Sequence, residues 1–192
     1  MIDRRMFIAG VAASLLPAPV LARSAFRQLF DGRTLQGWTP VGDANWRVER
    51  GLITADSGPM SFLLSRESWR DFELRTEFRV SPDANSGIFI RCTDRNAISP
   101  ATAYEVNIFD TRPDPTYGTG AIVNLAAVSP MPRAGGRWNV MRIRARGDRF
   151  DVALNGRTTV ANARDAAHRE GPLALQYGAG TVRFRRVEIR SL

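Results

Sequence analysis

Cysteine occurs once among the 192 residues, and so does histidine. The single cysteine, Cys92, excludes an intramolecular disulfide, so a packed hydrophobic core has to stabilise the fold. Cys92 follows the apolar run Ile88-Phe89-Ile90, and no Cys-His signature adjoins it. This setting favours a buried structural thiol over a nucleophile.

Lysine is absent, so all 27 basic residues are arginines, and the formal net charge is +8. The uniform use of arginine points to the coding bias of a GC-rich genome. Many of these arginines alternate with apolar residues, as at Arg142, Arg144 and Arg146, which is the spacing of a solvated strand face. The sequence therefore predicts no nucleic-acid partner, despite its positive charge.

Several signatures of common enzyme classes are also missing. A phosphate loop, a Cys-x-x-Cys pair, a His-Glu-x-x-His zinc motif and a Gly-x-Ser-x-Gly elbow do not occur. Hydrophobic residues make up 44% and charged residues 24% of the chain, as in an ordinary globular protein. The length suits one domain with one core.

The first 22 residues have the three parts of a signal peptide. Arg4 and Arg5 are followed by Phe7-Ile8 and by an apolar stretch too short to span a bilayer, and small residues precede a cleavage point after Ala22. The paired arginines resemble the twin-arginine export signal. We therefore predict removal of residues 1–22, a single domain over residues 23–192 in the periplasm, and no stable membrane insertion.

The rest of the chain has the pattern of an all-β protein. Residues Phe72–Val80 alternate between apolar and polar over nine positions, and Asn155-Gly156 after another alternating segment is a strong hairpin signal. In the last predicted strand the alternation of apolar and polar residues shifts by one position at Arg185 or Arg186, which indicates a β-bulge. Further strands are predicted at residues 46–48, 52–54, 62–64, 87–92, 104–109, 121–125, 138–145, 157–160, 173–176 and 181–190. Such a series predicts a two-sheet antiparallel jelly-roll sandwich, with a closed barrel as the alternative.

One predicted strand carries polar side chains on a single face. Alternation over residues 104–110 places Glu105 and Asn107 together, either in a sugar-binding groove or on a solvated outer face. The Pro- and Gly-rich loop that follows, from Asp110 past Tyr117, has the composition of a pocket rim.

Two residues outside this strand are candidates for catalysis. Arg91 could hold an oxyanion or form a structural salt bridge. His168, the lone histidine, could carry a proton near neutral pH or be an idle loop residue, and a strand ending at Gln176 follows it.

Several segments, taken in order, resemble the 3-keto-disaccharide hydrolase domain family, also described as 3-keto-glucoside 1,2-lyase and 3-keto-2-hydroxy-glucal hydratase. They are residues 29–38, 46–51, 72–74, 85–91, 104–110, 154–156 and 171–176. The resemblance implies a concanavalin A-like or laminin G-like jelly roll that acts on small-molecule sugars or glycosides oxidised at C3. The ketone makes the C2 proton acidic, so a base can remove it and the glycosidic oxygen can leave from C1.

By position in this family, Glu105, Asn107 and Asp110 lie at the polar centre of the site. The implied roles are catalysis by Glu105 or His168 as the base with Arg91 as an oxyanion partner, and substrate binding by Asn107, Asp110, Gln176 and Tyr117. No cofactor is certain, but a divalent metal ion on Glu105 and Asp110 is a possible stabiliser.

Two other functions compete with this one. A non-catalytic, lectin-like sugar-binding module would have the same fold but no use for a group that titrates near neutrality. A retaining glycosidase would need paired carboxylates about 5 Å apart, and Asn107 stands where the middle carboxylate of such a strand would be. The sequence leaves the oligomeric state and the identity of the glycoside open.

Overall fold

The computed structural model describes residues 25–192, so the signal peptide predicted over residues 1–22 lies outside the described residues. Thirteen strands and one short 3-10 helix follow one another in this range. They are β1 (Arg27–Gln28), β2 (Trp38–Val41), β3 (Arg47–Glu49), β4 (Leu52–Ala55), β5 (Ser61–Trp69), β6 (Phe72–Val80), β7 (Asn85–Ile90), β8 (Tyr104–Phe109), the 3-10 helix Pro115–Tyr117, β9 (Trp138–Arg146), β10 (Arg149–Leu154), β11 (Arg157–Arg164), β12 (Gly171–Ala179) and β13 (Val182–Ser191).

The strands form two antiparallel sheets. The first sheet has the order β11-β10-β9-β6-β13-β4-β3, with β1 also paired to β13, and the second sheet has the order β2-β5-β12-β7-β8. This arrangement confirms the predicted all-β jelly-roll sandwich. Between residues 25 and 192 no helix is long and apolar enough to cross a membrane.

The main core lies between the sheets and follows from the alternation seen in the sequence. Phe72, Phe78 and Phe184 of the first sheet and Ile88 and Val106 of the second sheet are almost completely buried in one cluster. Burying a side chain of this size contributes about 1.5–3 kcal/mol. On β6 and β9 of the first sheet, apolar residues point inward and most polar residues point outward.

Two local predictions are confirmed at the level of the backbone. Asn155 and Gly156 join β10 to β11 with φ angles of 51° and 81°, as a type I′ hairpin turn requires. The pairing of β13 with β6 shifts register between Arg185 and Glu188, where Arg186 has a φ angle of 49°. This irregularity is the bulge predicted from the phase slip.

Several parts of the strand prediction are wrong. Residues 121–125 form a turn with isolated bridges at Ile122, because this segment meets the edge of β8 as a loop and not as a continuous strand. β2 was not predicted, since it is short and contains Pro40. β11 runs on to Arg164, four residues past the predicted end at residue 160.

A smaller apolar cluster covers part of the outer face of the second sheet. It comprises Phe62, Leu64, Phe89, Cys92, Ile98, Ala103 and Ala174. Three of these come from the segment after β7, which folds back over the sheet. Burial raises the pKa of the Cys92 thiol to about 12, in keeping with a structural thiol.

Candidate functional site

The outer face of β8 carries the polar residues that the sequence analysis singled out. Val106 and Ile108 belong to the core between the sheets, so Glu105 and Asn107, which alternate with them, point to the opposite face. β8 pairs with β7 so that Gly87 lies opposite Asn107, and β12 pairs with β7 so that Gln176 lies opposite Gly87. Three neighbouring strands therefore bring Glu105, Gly87 and Gln176 together.

Gly87 lies between Glu105 and Gln176, two residues that line a pocket on this face. A Cβ atom at this glycine would be 3.0 Å from Glu105 Oε1 and 3.1 Å from Gln176 Oε1. The side chains of Glu105 and Gln176 thus approach each other above Gly87, which has no side chain of its own. The pocket has a volume of about 280 Å³, and Met60, Phe62, Ile98, Arg112 and Tyr117 also line it.

Glu105 is a buried carboxyl group without a partner. Its side chain has neither a hydrogen bond nor an ion pair with the rest of residues 25–192, and the residue is 8% exposed. Loss of hydration on burial raises its pKa to about 7. A carboxyl group with this pKa is partly ionised at neutral pH and can serve as a general base.

Gln176 presents an unpaired acceptor to the same space. The residue is 6% exposed, its Nε2 lies 3.7 Å from Met60 Sδ, and its buried Oε1 has no hydrogen-bond partner. Leaving a buried acceptor unpaired costs about 1–3 kcal/mol. A ligand hydroxyl that donates to Oε1 would recover this energy.

The amide of Asn107 is engaged in holding the pocket rim. Its Nδ2 donates to the carbonyl oxygen of Tyr117 at 2.6 Å, and its Oδ1 accepts from the backbone N–H of Ile108 at 3.0 Å. Tyr117 itself lines the pocket, and its role in substrate binding stays a prediction. Asn107 therefore connects β8 directly to the rim.

Asp110 joins two loops. Its Oδ1 accepts from Thr119 Oγ1 at 2.6 Å, and its Oδ2 accepts from the backbone N–H groups of Ala134 and Gly135 at 2.8 and 2.7 Å. No group of three or more His, Cys, Asp or Glu side chains that could hold a metal ion occurs from residue 25 onward. Both oxygens of Asp110 already accept hydrogen bonds, and the ligation of a metal ion by Glu105 and Asp110 stays a prediction.

Arg91 does not lie in this pocket. Its φ angle of 54° interrupts the alternation of the strand, so its side chain enters the space between the sheets. There it is 1% exposed and donates to the carbonyl oxygens of Arg70, Gly147 and His168 and to the carboxylate of Asp71. These contacts tie together the turns at one end of the sandwich.

His168 lies beside Arg91, also away from Glu105. Its backbone N–H donates to the hydroxyl of Tyr104 at 3.1 Å, and the two rings are 5.0 Å apart. The Tyr104 hydroxyl donates to Asp165 at 2.5 Å. Since Tyr104 points to the inner face of β8 and Glu105 to the outer face, the structure does not bring His168 to the pocket.

Met60 and Arg112 are among the residues that line the pocket but were not singled out in the sequence. Met60 is 61% exposed, and Arg112 stacks its guanidinium carbon 3.6 Å from the centroid of the Tyr117 ring. The Pro-rich composition of residues 110–120 did indicate a rim, but it did not indicate which side chain faces inward. Met60 stands in a turn before β5 and had no sequence signal.

Comparisons with known proteins point to carbohydrate chemistry. The family described as the 3-keto-alpha-glucoside-1,2-lyase-like domain matches residues 25–190. A 3-keto-disaccharide hydrolase from Bacteroides thetaiotaomicron is 26% identical over an alignment of 146 residues, and the match covers 60% of this chain and 50% of that protein. The chain thus spans about half the length of this curated relative.

Two solved structures share the fold. A protein proposed to be a glycosyl hydrolase from Parabacteroides distasonis has a TM-score of 0.76 and 18% identity, over 87% of this chain and 94% of that one. The carbohydrate-binding module CBM66 from Bacillus subtilis has a TM-score of 0.66 and 23% identity, over 81% of this chain and 96% of that one. At these identities the likeness establishes the fold alone.

Proposed function

Because this chain belongs to the 3-keto-alpha-glucoside-1,2-lyase-like domain family, we propose that it cleaves the glycosidic bond of sugars already oxidised at C3. The substrate is a small-molecule glycoside, and the net reaction is glycoside hydrolysis. The single observation that carries this proposal is the unpartnered Glu105 carboxyl, which is buried in a pocket with a pKa of about 7.

The reaction that we propose begins at C2. The Glu105 carboxylate removes the C2 proton, and the electrons of that C–H bond form an enolate with the C3 ketone. When the ketone re-forms, a double bond forms between C1 and C2, the bond from C1 to the glycosidic oxygen breaks, and that oxygen takes up a proton. Addition of water, with OH at C1 and H at C2, then yields the free 3-keto-sugar.

The pocket supplies the remaining requirements of this chemistry. The sugar ring occupies the space over Gly87, where the nearest side-chain atoms are Glu105 Oε1 and Gln176 Oε1. Gln176 Oε1 accepts a hydrogen bond from a sugar hydroxyl, which orients the ring. Within residues 25–192, Glu105 is the only carboxylate that lines the pocket, and this favours elimination over the paired-carboxylate mechanism of retaining glycosidases.

The test is turnover of p-nitrophenyl 3-keto-glucoside against p-nitrophenyl glucoside. We expect release of nitrophenol from the keto substrate alone, and in deuterated water we expect deuterium at C2 of the released 3-keto-glucose. Glu105→Gln should lower the rate by roughly two to four orders of magnitude. Glu49→Gln, at an exposed carboxylate of the first sheet, is the matched control and should have no effect.

A non-catalytic sugar-binding module is the second candidate. The unpaired Oε1 of Gln176 favours it, since a buried acceptor of this kind suits a sugar hydroxyl whether or not chemistry follows. Protein that binds 3-keto-glucoside but never releases nitrophenol would establish this function instead.

We also propose that the protein acts in the periplasm after twin-arginine export. The order of the charged, apolar and small-residue parts of residues 1–22 supports this. Mass spectrometry of the periplasmic protein should find a chain that begins near Arg23. Retention of residues 1–22 would contradict the proposal.

A further inference from the structure

Among residues 25–192, Arg112 is the only cationic side chain that lines the pocket. Its guanidinium carbon lies 3.6 Å from the centroid of the Tyr117 ring. Arg112 forms no hydrogen bond and no ion pair with any residue in the range 25–192, whereas the guanidinium of Arg91 is occupied by backbone carbonyls and by Asp71. The N–H donors of Arg112 are therefore uncommitted at the edge of the site.

The position of Arg112 is fixed through Tyr117. The carbonyl oxygen of Tyr117 accepts from Asn107 Nδ2 at 2.6 Å, and Asn107 stands two residues after Glu105 on the same face of β8. Asp114 caps the 3-10 helix by accepting from the backbone N–H of Thr116 at 2.9 Å. Stacking on an aromatic ring holds a guanidinium in place without using its N–H donors. The rim thus presents a cation that is anchored to the strand carrying the base.

We propose that Arg112 donates hydrogen bonds to the oxygen on C3 of the substrate and stabilises the negative charge that develops there. This inference rests on the proposed function. When Glu105 takes the C2 proton, the carboxylate becomes neutral and the negative charge moves to the C3 oxygen. No bond to Arg112 forms or breaks. Once Glu105 is protonated, the other polar residues of the range 25–192 that line the pocket are neutral. Arg112 is therefore the group that can balance the negative charge on the C3 oxygen.

This assignment gives separate roles to Arg112, Tyr117 and Asn107. Arg112 touches the substrate, whereas Tyr117 and Asn107 act through it as positioning residues. A donor aimed at a developing oxyanion affects the chemical step more than ground-state binding. Loss of Arg112 should therefore appear in kcat rather than in KM.

The experiment compares Arg112→Met with Arg112→Lys in the deuterated-water assay on p-nitrophenyl 3-keto-glucoside. We expect Arg112→Met to lower kcat by about 10²- to 10³-fold, the scale for loss of one oxyanion donor, with a change in KM below about tenfold. Arg112→Lys should retain more activity than Arg112→Met, because it keeps the charge. Guanidinium ion added to Arg112→Ala should restore part of kcat.

The control is Arg133→Met, which removes another exposed arginine from a loop that does not line the pocket. It should leave kcat and KM unchanged, and far-UV circular dichroism should show that every variant keeps the β fold. Arg112→Met with undiminished kcat overturns the inference and leaves the proposed function standing. Wild-type protein that turns over no 3-keto-glucoside overturns the proposed function and this inference together.

Discussion

Replacing Glu105 by Gln is expected to stabilise the fold at alkaline pH while it removes catalysis. The folded protein raises the pKa of this carboxyl from its ordinary value of 4.5 to about 7 because burial strips its water and no partner compensates. At about 1.4 kcal/mol for each pKa unit, ionised Glu105 lowers the free energy of unfolding by about 3 kcal/mol. Gln has nearly the same shape and stays neutral.

The direction of this effect follows from the pKa values in the two states. Below pH 4.5 Glu105 is protonated in both the folded and the unfolded chain, and its full contribution to stability is present. As pH rises towards 7, the unfolded chain loses the proton first, so the free energy of unfolding falls. Above pH 7 the loss is complete. Catalysis by the ionised carboxylate should rise over the same titration, with kcat/KM increasing through a pH near 7.

Urea unfolding of wild type and Glu105→Gln at pH 4.5, 6, 7 and 8.5 provides the measurement. We expect the advantage of Glu105→Gln to grow by about 3 kcal/mol between the lowest and the highest pH, while the same series on Glu49→Gln shows no such trend. A difference between wild type and Glu105→Gln that does not change with pH would refute the argument, because it would mean that the folded state does not raise the pKa of Glu105.

Three further substitutions test the placement of the other residues. Gly87→Ala puts a methyl group about 3 Å from Glu105 Oε1 and Gln176 Oε1, so KM should rise about tenfold or more with little change in Tm. An unchanged KM would show that the sugar does not lie over Gly87. Arg91→Met leaves the backbone carbonyl groups to which Arg91 donates, including that of Gly147, without donors. The free energy of unfolding in urea should therefore fall by about 3 kcal/mol or more, and a fully stable variant contradicts this role. His168→Ala should keep kcat within a few-fold, and a loss of two orders of magnitude would return His168 to the list of catalytic residues.

Much of the fold could be predicted because its signals are local. The alternation of Phe72–Val80 reports directly on a half-buried strand, and Asn155-Gly156 can adopt the positive φ angles of a tight hairpin whatever surrounds it. The failure at residues 121–125 has the opposite cause. Those apolar residues meet the edge of β8 through an isolated bridge at Ile122 rather than through a continuous strand, and composition does not distinguish the two.

The site could be predicted only in part. The sequence by itself determined that Glu105 and Asn107 share one face of a strand, because successive side chains of a strand alternate. It could not determine that β12 and β7 lie beside β8, and that pairing is what brings Gln176 and Gly87 to Glu105. Arg91 followed an apolar strand and was expected near the site, but a single positive φ angle turned it into the interior.

The chemistry of Glu105 was decided by tertiary structure. A glutamate in an alternating strand has the same local sequence whether its face is covered or solvated, and in water its pKa would stay near 4.5. Only the packing of distant segments over the outer face of the second sheet, including those that carry Ile98 and Tyr117, removes that water. Hydration is a property of everything that surrounds a group, so no window of neighbouring residues can encode it.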